Sequence, residues 1–97
     1  MRNLNISSGK TGMFRIMAAK SSVEDLKCMD KWLAAMLIAW MEKNLSNCAN
    51  PRDFGKSMFK KDDRFWQYRF GRFRLLALIY DDSKLIILTG INYNDTI

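Results

Sequence analysis

The side chains of this chain best suited to chemistry are its arginines and lysines, and they are concentrated. Between Arg52 and Arg74 stand Arg52, Lys56, Lys60, Lys61, Arg64, Arg69, Arg72 and Arg74, opposed by Asp53, Asp62 and Asp63. Eight cations against three carboxylates leave +5 in that segment, nearly all of the +6 carried by the 97 residues. A guanidinium presents a planar fork of donors that fits phosphate oxygens, and such contacts give salt-dependent affinity with little sequence preference. The ligand such a segment suits is a nucleic acid. The chemistry within its reach is stabilisation of negative charge as it develops on a phosphoryl group.

What is missing narrows the field as much. There is no histidine, so no Ser-His-Asp triad, Cys-His pair or imidazole base is available. Cys28 and Cys48 are the only cysteines, too few for a structural zinc site, and no metal is expected. No phosphate-binding loop or GxGxxG fingerprint occurs, so no cofactor is expected either. Catalysis would have to run on Arg, Lys, Tyr, Asp or Glu. Without a signal-peptide pattern the two thiols are expected to stay reduced in a cytoplasmic protein.

Strands are needed to gather these cations. Trp66 to Phe70 and Arg72 to Tyr80 alternate in hydropathy around Gly71, which reads as a hairpin. Alternation sends Trp66, Tyr68 and Phe70 one way with Phe73, Leu75, Ala77 and Ile79. Gln67, Arg69, Arg72 and Arg74 then share the other face. If the apolar rows lie under helices, that second face is an open patch of guanidinium groups. Asp81-Asp82-Ser83-Lys84 supplies a further turn, and Leu85 to Asn92 is apolar enough for a buried strand.

The elements before the hairpin supply the cover. Residues 1–12 are polar and interrupted by Ser7-Ser8-Gly9 and Gly12, and are read as a flexible extension, with one domain over 13–97. Met13 to Ala18 alternates as a short strand. Ser21 or Ser22 is placed to cap a helix with Glu24 and Asp25 in its first turn, ending near Met29. Asp30 is placed to cap a second helix, whose run from Trp32 to Met41 is too short to span a membrane. Leu33, Leu37, Trp40 and Leu45 form its buried stripe, and Met36 and Met41 widen that apolar arc and are read first as core, with a surface for a partner helix as the alternative. Asn50-Pro51 ends that helix region, and a basic loop follows. The order is β-α-α-β-β-β, an α+β fold with two N-terminal helices on one face of a small, mainly antiparallel sheet.

Three stretches carry a resemblance to a known family. They are Ile38-Ala39-Trp40-Met41-Glu42-Lys43-Asn44-Leu45, then Asn50-Pro51-Arg52 with Gly55-Lys56, then Trp66-Gln67-Tyr68-Arg69-Phe70-Gly71-Arg72-Phe73-Arg74. In order and spacing, from about Met13 to about Leu88, they resemble the toxin component of RelE-type toxin–antitoxin modules. The resemblance implies a RelE-like fold and a ribosome-dependent endoribonuclease that cuts messenger RNA and is silenced by a cognate antitoxin. In that chemistry the RNA 2′-hydroxyl attacks the adjacent phosphorus, and basic side chains stabilise the transition state without a metal. Arg74 falls at the family's arginine for the scissile phosphate and Arg69 at a basic position of the preceding strand. Gln67 stands where the family pattern Trp-Arg-Tyr-Arg has its first arginine; these three are the implied catalytic positions. Arg52, Lys56, Lys60, Lys61, Arg64 and Arg72 are the implied RNA contacts.

The chain ends Thr89-Gly90-Ile91-Asn92-Tyr93-Asn94-Asp95-Thr96-Ile97, without the family's C-terminal arginine. Tyr93 is read either as a stand-in for the family's tyrosine or as an edge packing residue. Gln67 and this ending define the alternative, a protein of the same fold that binds RNA or an antitoxin without cleaving. A gyrase-directed toxin of the ParE branch is the third reading. Exposed methionines and an open sheet edge are the expected antitoxin contacts.

Overall fold

The computed structural model describes residues 4–5 and 13–93. In chain order the elements are strands β1 (Leu4–Asn5) and β2 (Arg15–Ala18), helices α1 (Lys20–Cys28) and α2 (Lys31–Asn44), and a single 3₁₀ turn over Pro51–Asp53. Strands β3 (Lys56–Phe59), β4 (Asp62–Phe70), β5 (Phe73–Tyr80) and β6 (Leu85–Tyr93) follow. The α+β class and the expected order hold, with two short strands added. Leu4–Asn5 pairs with β2, and the rest of the expected N-terminal extension lies outside the described residues. The basic loop expected after Pro51 is instead the 3₁₀ turn, β3 and the start of β4.

The sheet order is β1-β2-β6-β5-β4-β3. Strands β2 and β6 run parallel, and every other neighbour is antiparallel. Period-2 alternation divides the two faces. Ile16, Tyr68, Leu75, Ile79, Ile86 and Leu88 are almost wholly buried against the helices.

The two helices begin differently from each other. Asp30 caps α2 as expected, its carboxylate accepting a hydrogen bond from the Trp32 backbone N–H at 2.8 Å. The start of α1 corrects the expectation, because Ala19 is the capping residue and makes no side-chain cap. The serine hydroxyls are drawn to the sheet: Ser22 is buried and donates to the Leu88 carbonyl at 2.8 Å, and Ser21 donates to the Thr89 carbonyl at 2.6 Å. With the helix starting at Lys20, no carboxylate lies in its first turn. Asp25 reaches across instead and accepts from the Ile91 backbone N–H at 2.9 Å.

The buried stripe of α2 is Leu37 and Met41, continued by the C-capping Leu45, at steps of four residues. Trp40 sits at its margin, tilted against Tyr68 and Phe70 with ring centroids 6.3 Å away in each case. Leu33 and Met36 depart from the expected core and are exposed, as is Trp32, so the first turns of α2 lie uncovered. The helix stops where expected, with Asn47 taking a left-handed conformation at φ 63°.

Candidate nucleic-acid interface

The β4–β5 hairpin is closed by two residues, Gly71 and Arg72, between the paired Phe70 and Phe73. Gly71 has φ +59°, the backbone that a tight hairpin loop with glycine in its first central position requires. This fixes the register, and the register decides the chemistry. One step from the closing pair, Arg69 stands directly opposite Arg74. Both are on the face turned away from the helices, because Tyr68 and Leu75, one step further along, are buried beneath α2. Directly opposed side chains have Cβ atoms about 5 Å apart. Among the described residues neither guanidinium has a carboxylate partner.

Two neighbours complete this face. On one side of β4, Lys56 of β3 is paired with Gln67. On the far side of β5, Asn92 of β6 is paired with Arg74. Lys56, Gln67, Arg69 and Arg74 line one concavity of about 280 Å³ together with Gly55 and Tyr68. It contains two guanidinium groups, an ammonium group and a carboxamide, and no carboxylate.

The segment that delivers Lys56 is tied to β4 by side chains from the helix-covered face. Tyr68 donates from its hydroxyl to the Pro51 carbonyl at 2.8 Å, and Trp66 donates from Nε1 to the Phe54 carbonyl at 2.6 Å. Burial pushes the Tyr68 phenol well above the ordinary tyrosine range, so it remains a donor. Gly55 then passes so close to β4 that a Cβ there would lie 2.1 Å from the Gln67 carbonyl oxygen, and its φ is +73°. Only glycine fits that approach.

Arg52 belongs to this scaffold. Its guanidinium donates to the Asp81 carboxylate at 2.9 and 3.1 Å and to the Asp63 carbonyl at 2.9 and 3.1 Å. It also lies 5.7 Å from the Trp66 ring centroid. The hydrogen bond from Arg52 holds the Asp81 carboxyl below the usual range, and the same bond raises the Arg52 pKa. Its donors are thus directed to protein groups that join the 3₁₀ turn to β4 and to the β5–β6 turn.

The other expected contacts are spread along the hairpins. Arg64 pairs with Asp62 at 2.9 Å. Lys60 and Lys61 form the turn between β3 and β4, and Lys61 lies eight residues before Arg69. At about 3.3 Å per residue that is roughly 26 Å along the strand. Arg72 is exposed in the turn beside the arginine pair. The structure therefore brings Lys56, Gln67, Arg69 and Arg74 together and places Arg52, Lys60, Lys61 and Arg64 elsewhere.

Tyr93 and Asn92 take their faces from a bulge in β6. Ala77 pairs with Leu88 but Leu76 pairs with Gly90, so Thr89 is an extra residue on that strand. Strict alternation from Leu88 would have put Tyr93 on the arginine face and Asn92 under the helices. The bulge reverses both: Tyr93 packs against Phe73 with the rings tilted by 60° and centroids 5.2 Å apart, and Asn92 faces Arg74's side of the sheet. Sequence reasoning missed Asn92 because hydropathy alternation carries no mark of the extra residue.

No curated protein matches the chain. Among solved structures, a chain of the RelBE2 toxin–antitoxin complex from Mycobacterium tuberculosis superposes with a TM-score of 0.75 at 18% sequence identity, covering 90% of this chain and 98% of that one. Residues 16–93 match the family model described as ParE toxin of type II toxin-antitoxin system, parDE. That match runs from β2 through β6 and so takes in both helices, the paired arginines and the bulged strand; the chain belongs to this toxin family, within the RelE/ParE superfamily of type II toxin–antitoxin modules.

Proposed function

We propose that this toxin acts on messenger RNA at the ribosome, in the cytoplasm, as an endoribonuclease. The observation that carries the reading is the directly opposed Arg69–Arg74 pair beside Lys56 and Gln67 on an open sheet face. In the reaction the RNA 2′-oxygen forms a bond to the adjacent phosphorus while the bond to the 5′-oxygen breaks. The products are a 2′,3′-cyclic phosphate and a 5′-hydroxyl, with one proton leaving the nucleophile and one reaching the leaving group. Two guanidinium forks on directly opposed residues suit the crowded phosphoryl oxygens of that transition state. Since no carboxylate or imidazole lines the concavity, its side chains stabilise charge, and both protons exchange with solvent or with groups of the ribosome-bound substrate. The proposed partner that silences the toxin is an antitoxin. Trp32, Leu33 and Met36, exposed on α2, provide apolar contacts for an amphipathic segment.

Primer extension on a defined message in a purified translation system tests this reading. Cuts within ribosome-covered codons that disappear in Arg74→Ala are the expected result. The match is to a model of ParE toxins, which favours a second reading, the gyrase-directed toxin of the ParE branch. Loss of gyrase supercoiling with an intact message would establish it and overturn the first. RNA binding without cleavage by a folded sample would leave a binding protein of the same fold.

A further inference from the structure

Gln67 is the neutral member of a cationic concavity. It lies on the open face with Lys56 opposite on one side and Leu76 opposite on the other, and with Arg69 two residues along the same strand. It is half-buried, and its carboxamide makes no hydrogen bond to protein among the described residues. Phosphate oxygens gain more from the charged groups beside it. A carboxamide offers instead one donor and one acceptor side by side, a pattern that fits a base edge.

The same strand supplies a wall for a base. Phe65 shares the open face with Gln67 and Arg69 by alternation, and its ring meets that of Phe59 edge to face at 5.1 Å. Phe59 is 53% exposed and Phe65 half-buried, with the Arg64 guanidinium 6.0 Å from the Phe65 ring centroid. Along β4 the open face thus presents an aromatic ring, a carboxamide and a guanidinium at steps of about 7 Å. Single-stranded RNA is recognised by splayed bases stacked on aromatic rings and hydrogen-bonded along their edges, while phosphate contacts set position.

We infer that Phe65 and Gln67 form a base-reading subsite beside the Arg69–Arg74 phosphate subsite, with adenine as the preferred base. Gln67 accepts from the adenine N6 amine and donates to N7, the pairing that a carboxamide makes in bidentate form. This rests on the reading of the open face as an RNA site, but it concerns recognition and not cleavage.

Fluorescence anisotropy of the whole purified protein with labelled oligoadenylate, oligouridylate and oligocytidylate tests it without ribosomes. Oligoadenylate should bind about tenfold more tightly than oligouridylate, the scale of one good bidentate contact. In Gln67→Leu that ratio should fall to about one. In Gln67→Glu the donor is lost and an acceptor gained, so preference should move toward oligocytidylate, whose N4 amine donates. A change of preference cannot come from misfolding, which would weaken all three alike. Equal binding of the three oligomers by the unsubstituted protein, no binding of any, or a ratio unmoved in Gln67→Leu overturns the inference. A preference that follows Gln67 in a protein that does not cut messages would uphold the subsite and sink the ribonuclease. Cleavage without base preference would do the reverse.

Discussion

Replacing Arg69 by glutamine should make this protein more stable while weakening its hold on phosphate. Arg69 and Arg74 are directly opposed on neighbouring antiparallel strands, and like charges in that arrangement destabilise a sheet. Two unit charges about 6 Å apart in water repel by about 0.7 kcal/mol, which screening at 0.1 M salt reduces to about 0.4 kcal/mol. For a domain of this size, relief of that repulsion should raise Tm by about 2–3 °C. At 1 M salt the screening length is about 3 Å, and the gain should shrink to about 0.1 kcal/mol. Urea unfolding followed by tryptophan fluorescence at both salt concentrations gives the comparison, with Arg69→Lys as the control that keeps the charge. A glutamine variant no more stable than the parent at low salt, or a difference that ignores salt, would refute the reasoning. The expected outcome would mark the arginine pair as a place where stability is given up for binding.

Three other substitutions probe the scaffold. Gly55→Ala should cost about 3 kcal/mol, part from the left-handed backbone and the rest from moving β3 off the Gln67 carbonyl, read as a fall in the urea midpoint. Tyr68→Phe should cost about 1–2 kcal/mol in the same assay, because the Pro51 carbonyl loses its buried donor. Arg52→Ala should be destabilising at neutral pH, with the gap from the parent narrowing in acid. The folded Asp81 carboxyl is held below its unfolded value by Arg52, so its contribution is complete above about pH 4 and lost as the pH falls through the lower folded value. Thermal melts across that range check the sign, and a gap that widened in acid would contradict it.

Much of this architecture was legible in the sequence, for identifiable reasons. Hydropathy alternation on either side of Gly71 marks the hairpin and puts Arg69 and Arg74 on one face, but their direct opposition follows from the two-residue loop, which takes Arg72 out of the strand and into the turn. Asp30 was readable as a cap because it precedes an uninterrupted helix-forming run. The capping role read into Ser21 and Ser22 failed because both hydroxyls have tertiary acceptors on β6, which no local pattern contains. Charge density around Lys60, Lys61 and Arg64 suggested one basic surface, whereas strand geometry carries the lysine turn far from the arginine pair. Arg52 reads as an RNA contact from its place in the basic run, whereas its hydrogen bonds go to Asp81, 29 residues further on. Leu33 and Met36 fit the stripe of α2 by spacing, but what lies over a helix turn is decided by its neighbours.

The place of β6 has a consequence for the life of the molecule. Among the described residues it is the last strand in chain order, yet it lies in the interior of the sheet, joining β2 on one side to β5 on the other. Until that strand has been made, β2 has no neighbour on that side and the helices have only part of a floor to pack on. A nascent chain can form the β4–β5 hairpin early, since that contact is local, but the parallel junction of β2 with β6 spans nearly the whole domain and forms late. The toxin fold can therefore close only after synthesis has passed Tyr93, so that until then its helices and β2 stay open on the side where β6 will lie.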